Sequence, residues 1–142
     1  MEQRAVSEQP DVMIEVTDRC KPYFDALADG RLTVQRCRDC GAMTSYEFIR
    51  CLTCQSENFE QHDCAGTGTL ATWTVVDRPT HPAFTEFAPY VAAYVQLDEG
   101  PWITARVEIA REALRADLPV TLHVVQSSNG TSYPVFRTLS SR

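Results

Sequence analysis

The period with which apolar and polar residues alternate changes along the chain, and those changes divide it. Residues 1–17 mix Glu, Gln, Pro and isolated apolar residues without period, which predicts a flexible arm. From Thr17 the spacing becomes helical. Thr17 or Asp18 can cap, Pro22 is tolerated in a first turn, and Tyr23, Phe24 and Leu27 share a face before Gly30 ends the run. A short amphipathic helix over about residues 18–29 is predicted. Leu32-Thr33-Val34-Gln35-Arg36 then alternates as a strand, and Tyr46-Glu47-Phe48-Ile49 reads as a second, while residues 57–64 lead out of this small sheet.

Beyond residue 65 the period is two almost throughout. Gly66 to Val76 is rich in β-branched and aromatic residues, with glycines at its entry where a strand must bend. Tyr90 to Leu97 follows, Asp98-Glu99-Gly100 turns the chain, and Trp102 to Val107 is the third strand. Ala110 to Ala116 has a helical composition, Val120 to Gln126 alternates again, Asn129-Gly130 reads as a hairpin turn, and Thr131 to Leu139 is the fifth strand. Pro134 lacks a backbone donor and predicts an edge or a bulge. Trp73 and Trp102 are assigned to the barrel wall. Five strands with a helix between the third and fourth is the order of an OB-fold barrel. The predicted architecture is mainly β, with helix and ribbon over 18–60 and the barrel over 61–142.

Cysteine spacing sets what the first part can hold. Cys37-Arg38-Asp39-Cys40 and Cys51-Leu52-Thr53-Cys54 are two Cys-x-x-Cys pairs joined by a short hairpin, the arrangement that brings four thiolates around a tetrahedral ion. Two disulfides are the competing use, but cysteines two residues apart in a tight turn are badly placed to bridge. A rubredoxin-like zinc ribbon holding structural Zn²⁺ is the expectation, and an iron tetrathiolate shares the same donors. Four thiolates complete the shell and leave no place for a reacting water. Gly41 follows the first pair, whereas Gln55 stands at the matching place after the second and predicts a tighter or less regular knuckle there. Cys20 and Cys64 fall outside this set and read as small apolar residues or idle thiols.

Charge narrows the partners. The chain carries 13 Lys and Arg against 19 Asp and Glu, a net −6, and residues 1–59 hold seven of those cations and ten of those anions, so both parts are acidic. A surface that tracks phosphates is disfavoured, and a nucleic-acid partner with it. The only early apolar run, Val12-Met13-Ile14, is too short for a signal-peptide core, and no stretch reaches membrane-spanning length, so a cytoplasmic location is expected. His62, His81 and His123 are scattered, and no nucleophile elbow or Gly-rich phosphate loop is present, so the chain alone is not expected to be an enzyme. The connection from Asp77 to Pro89 gathers Pro79, Pro82, Phe84 and Phe87. Its two rings either tuck over the barrel end or form a preorganised apolar surface.

The sequence resembles a family of acyl-CoA-associated proteins in which a zinc ribbon precedes an OB-fold, formerly known as a domain of unknown function. The likeness spans about residues 18–139. It rests on Tyr23-Phe24-Asp25-Ala26-Leu27 with Gly30, the four cysteines, Gly66-Thr67-Gly68-Thr69-Leu70, Pro89-Tyr90-Val91, Val95 to Gly100, and Pro134-Val135-Phe136. Gln55 and the lack of Pro after Cys51 depart from the family pattern without touching a ligand. The resemblance implies a noncatalytic accessory subunit assembled with a thiolase-fold enzyme: a thiolase, an acyltransferase or a retro-aldolase acting on steroid side-chain CoA thioesters. A CoA thioester would then lie at a site shared with that partner. Arg78, Arg106 and Arg137 are the candidate contacts for its phosphates, and Phe84, Phe87, Tyr23 and Phe24 the candidate anchors for the partner. A nucleic-acid-binding module and a rubredoxin-like electron carrier are the alternatives from other classes.

Overall fold

The computed structural model describes residues 16–78, 89–127 and 130–139. Among them one α-helix, α1 (Lys21–Ala28), precedes β1 (Leu32–Cys37), β2 (Met43–Thr44) and β3 (Phe59–Cys64). These are followed by β4 (Thr67–Val76), β5 (Tyr90–Leu97), β6 (Trp102–Val107), β7 (Pro119–Gln126) and β8 (Ser132–Thr138). The first three strands form a sheet in the order β2-β1-β3, and the last five close a barrel in the order β4-β5-β6-β8-β7. Neighbours in the barrel are antiparallel except β6 and β8, which pair in parallel. The first barrel strand thus closes on the fourth, and a single parallel contact joins the third to the fifth. This is OB-fold architecture. No helix among the described residues is long and apolar enough to cross a membrane.

Alternation accounts for the barrel interior. Val91, Ala93, Val95 and Leu97 of β5 point inward with Leu70, Ile103, Val107, Val120 and Phe136, all buried, while the intervening residues face out. At Gly68 the strands come closest, since a Cβ there would lie 2.3 Å from the Gln96 carbonyl oxygen. The glycine at the entry of β4 is therefore a packing requirement as well as a bend. A register shift between Leu70 and Thr72 then turns the rest of β4, so that Trp73 lies opposite Ala93 and packs against the core.

Several expectations change. Tyr46 to Ile49 is no strand, because the side chains of Arg19 and Gln35 occupy its carbonyls: Arg19 Nη2 donates to Tyr46 O at 2.7 Å and Gln35 Nε2 to Phe48 O at 2.8 Å. The pairing β1 needs comes instead from β3, in register from Leu32↔Cys64 to Cys37↔Phe59. Residues 110–116 form only a 3₁₀ turn at Arg111–Ala113, after which Leu114 is extended (ψ 125°) and packs against the core. A stretch this short cannot offset helix nucleation against such an anchor. The helix is capped by neither Thr17 nor Asp18. Its N-cap is Cys20, whose side chain makes no capping bond and accepts the Thr17 N–H at 3.2 Å instead, and the Cys20 N–H donates to Thr17 O at 3.1 Å.

Pro134 lies inside the closed barrel, opposite Val124 of β7. Its missing donor is tolerated because β8 meets β6 only from Val135 onward. Trp102 is half exposed on the outer face and does not belong to the wall's packed side. The connection holding Phe84 and Phe87 lies outside the described residues, as does Asn129.

Candidate metal centre and partner-facing residues

The two knuckles are built alike. Cys37 ends β1, its carbonyl accepts the Gly41 N–H at 2.8 Å, and its own N–H donates to Ala42 O at 2.8 Å. Cys51 repeats both bonds with Gln55 (2.9 Å) and Ser56 (2.8 Å). Gly41 and Gln55 both take left-handed φ, +82° and +69°. The second knuckle is therefore as regular as the first, and the departure at Gln55 shows up as backbone strain of about 1–2 kcal/mol instead of altered geometry. Ser56 Oγ, which accepts from Asn58 N, donates to Asp39 Oδ2 at 2.5 Å and ties one knuckle to the other.

This places the four sulfurs together. Cys37 and Cys54 Sγ are 3.6 Å apart, Cys40 and Cys51 Sγ 3.5 Å, and all four lie within 4.8 Å of one another. Four sulfurs on a tetrahedral shell of about 2.3 Å radius would be separated by about 3.8 Å, so the donor set fits a zinc-sized ion. Electrostatics agree. Backbone N–H groups of Cys54 and Thr53 bring the Cys51 thiol down to about 6. Cys54, despite the Ser56 N–H that favours its thiolate, is pushed up to about 12 by lost hydration and by the neighbouring sulfurs. Four thiols this close cannot all ionise without a cation between them. Cys37 and Cys51 are buried and Cys40 and Cys54 exposed, so an ion would sit at the tip of the ribbon with half of its shell inside.

The helix aromatics are largely used within the molecule. Tyr23 is 6% exposed and stacks on Tyr46 at a ring distance of 3.9 Å, with Phe24 edge-on to both. Phe24 also borders a small cavity with Ile103, Thr104, Tyr133 and Pro134, beside the place where β6 and β8 separate. The helix thus joins ribbon to barrel, and little of Tyr23 is left for a partner. Cys64 is half-buried, its thiol pushed up to about 12 by burial and by Glu99, which is unsuited to nucleophilic chemistry.

Of the three arginines, Arg78 is exposed two residues beyond β4. Arg106 and Arg137 meet at Glu108: Arg106 Nη1 lies 3.2 Å from Oε2 and Arg137 Nε 2.8 Å from Oε1. Arg137 Nη1 is also 3.2 Å from His123 Nδ1. Burial, and then the Arg137 charge, lower the His123 pKa.

Two exposed apolar groups escaped the sequence reading. Phe48, Ile49 and Leu52 flank Cys51 at the ribbon tip, and Tyr94 and Trp102 stand together on the barrel with ring centroids 5.9 Å apart. The signal for the second was present in the sequence, because the outward rows Tyr90-x-Ala92-x-Tyr94 and Trp102-x-Thr104-x-Arg106 carry a single charge.

Comparison with known proteins agrees with this architecture. Residues 24–60 match the family described as the ChsH2 rubredoxin-like zinc ribbon domain, and residues 61–125 the ChsH2 C-terminal OB-fold domain. A probable enoyl-CoA hydratase alpha subunit of Thermomonospora curvata is 34% identical over 81% of this chain and 36% of its own length. A DUF35 domain-containing scaffold protein of Pyrococcus furiosus is 34% identical over 51% of this chain and 53% of its own length. The chain thus spans about a third to a half of these relatives. Among solved structures, a chain of the Ltp2-ChsH2(DUF35) aldolase is 29% identical with a TM-score of 0.78, over 90% of this chain and all of that one. A DUF35-family protein of unknown function from Sulfolobus solfataricus, 10% identical with a TM-score of 0.57 over 87% of each chain, shares the fold. The chain belongs to the ChsH2, or DUF35, family of proteins that join a rubredoxin-like zinc ribbon to an OB-fold.

Proposed function

We propose that this chain is a noncatalytic, zinc-binding accessory subunit that docks on a thiolase-fold enzyme acting on acyl-CoA thioesters. The observation that carries this reading is the likeness, over 90% of this chain, to a chain of the Ltp2-ChsH2(DUF35) aldolase, whose name joins two proteins. The names of the relatives point the same way, two being DUF35 domain-containing scaffold proteins, of Pyrococcus furiosus and Methanothermobacter thermautotrophicus, and one a probable enoyl-CoA hydratase alpha subunit. Cys37, Cys40, Cys51 and Cys54 hold Zn²⁺ as a structural ion that closes the ribbon, and sites of this kind contribute apparent binding energies of about 10–16 kcal/mol. The reacting groups belong to the partner, and a CoA thioester is bound at a site shared with it. Arg106 and Arg137 are oriented by Glu108 and fit such a contact better than Arg78, which has no ion pair among the described residues.

The test is affinity purification of the tagged chain from its native host, with mass spectrometry of what elutes. A thiolase-fold protein should elute in near-stoichiometric amount. Its absence at every salt concentration tried would refute the reading.

A further inference from the structure

The outer face of the barrel carries a trough that the metal centre does not use. On β5, Ala92 lies between Tyr90 and Tyr94 on the outward row, and the register sets Thr74 of β4 on one side of it and Arg106 of β6 on the other. A small residue flanked by two large ones makes the floor. The walls are about 13 Å apart at Cα, four residues along a strand, and narrower between the rings. The open volume is about 490 Å³, within the range of sites that bury ligand-sized groups. Tyr94 and Trp102, 46% and 50% exposed, extend one wall outward.

Charge is sparse on this face. Arg106 is the only charged residue on the outward positions of β4, β5 and β6, in a chain of net charge −6. Glu108 follows Arg106 on the same row and is shared by Arg106 and Arg137, two guanidinium groups to one carboxylate, a cluster that favours an acidic segment over a basic one. Arg106 is held in place by Glu108 Oε2 at 3.2 Å, and a guanidinium can be shared between two carboxylates through different N–H groups of its fork. Only β5 is paired along its length on both sides, since β4 meets β7 at Thr67–Thr69 and β6 meets β8 at Arg106–Val107; over Ala92, at the centre of this face, docking is made by side chains. A ring thickness of about 3.5 Å reduces the Cα spacing to a gap of about 9–10 Å, which admits an extended chain and is narrower than a helix of about 10–12 Å diameter.

We propose that this trough is the docking site for an extended segment of the acyl-CoA enzyme, an apolar side chain seated over Ala92 and a neighbouring carboxylate on Arg106. The inference rests on the accessory-subunit reading above and names the surface that reading requires. Exposed Tyr and Trp beside a buried Arg is the composition from which interface anchors are drawn.

The experiment measures binding of the acyl-CoA enzyme that co-purifies with the chain to immobilised Ala92→Phe, Trp102→Ala, Thr104→Glu and Thr104→Lys. Thr104 is exposed beside Arg106 on the same row, opposite Tyr94. Circular dichroism and bound zinc verify folding of each, and Trp102→Ala, which alters a half-exposed side chain, keeps the test decisive if Ala92→Phe disturbs the barrel. Dissociation constants should rise at least tenfold for Ala92→Phe, Trp102→Ala and Thr104→Glu, and stay within threefold for Thr104→Lys. If all four bind like the wild type, docking lies elsewhere, although the accessory-subunit reading survives. Equal loss for Thr104→Glu and Thr104→Lys overturns the acidic occupant. Self-association of the chain abolished by Trp102→Ala, or acetyl-CoA binding to the chain alone abolished by Ala92→Phe, replaces the enzyme by a second copy or by a small molecule. If no acyl-CoA enzyme co-purifies, both readings fall.

Discussion

Replacing Gly68 by Ala places a methyl carbon where β4 and β5 leave no room. The added Cβ would lie 2.3 Å from Gln96 O, 3.0 Å from the Gln96 carbonyl carbon and 3.1 Å from Leu97 Cα. All three are backbone atoms, so no rotamer change relieves the contact. Carbon and oxygen settle at about 3.3 Å or more, and the strands would have to part by about 1 Å. They are held against parting. Leu97, paired with Gly68, is buried, the Asp98 N–H donates to Thr67 O at 3.1 Å, and Thr67 Oγ1 bonds the Asp98 carboxylate. Overpacking of this kind costs about 1–3 kcal/mol, against a gain of roughly 0.5–1 kcal/mol from removing a flexible glycine. A net loss of about 1–2 kcal/mol is expected, and for a chain of this size that lowers Tm by about 3–8 °C. Thermal and urea melts followed by circular dichroism measure it, with the urea slope unchanged. The sign decides the matter. A Tm equal to or above that of the wild type would mean that chain entropy outweighs the contact and that the approach of the two strands is wrong.

Other substitutions test separate parts of the account. Gln55→Gly should relieve the left-handed strain at φ +69°, stabilise the ribbon by about 1 kcal/mol and slow zinc loss to a chelator, as read by a colorimetric zinc indicator. Tyr23→Ala removes the ring buried against Tyr46 and should cost about 3–5 kcal/mol in a urea melt. His123, whose pKa is lowered first by burial and then by Arg137, binds fewer protons in the folded than in the unfolded state just below its ordinary value of 6.5. Its stabilising contribution is present above that value and is lost as pH falls through the folded one. His123→Gln should therefore melt with a flatter pH dependence than the wild type between about pH 7 and pH 5, as difference melts at matched pH would show.

The barrel was legible because each of its strands buries one face. Tyr90 to Leu97 and Trp102 to Val107 run as the alternation predicts, since Val91, Ala93, Val95, Leu97, Ile103 and Val107 are buried and Ala105 is partly buried. The cysteine pairs were legible for a different reason: their spacing has few other uses. β3 was missed because Phe59-Glu60-Gln61-His62-Asp63-Cys64 buries none of its residues fully, and its pairing with β1 follows from register and not from hydrophobicity. The strand expected at Tyr46 to Ile49 failed through contacts distant in sequence, with Arg19 and Gln35 capturing its carbonyls. The barrel followed from the strand order, but which outward residues meet across neighbouring strands did not. Only when β4, β5 and β6 lie side by side does Ala92 become the floor of a trough with Arg106 beside it.

The central claim is a zinc-organised subunit that acts through another protein, and native mass spectrometry of the material co-purified from the host tests it most directly. The account predicts a chain carrying the mass of one zinc ion, and a larger species in which that same zinc-bound chain is joined to a thiolase-fold protein. A chain without metal that is nonetheless folded, or a zinc-bound chain found only by itself, would contradict it.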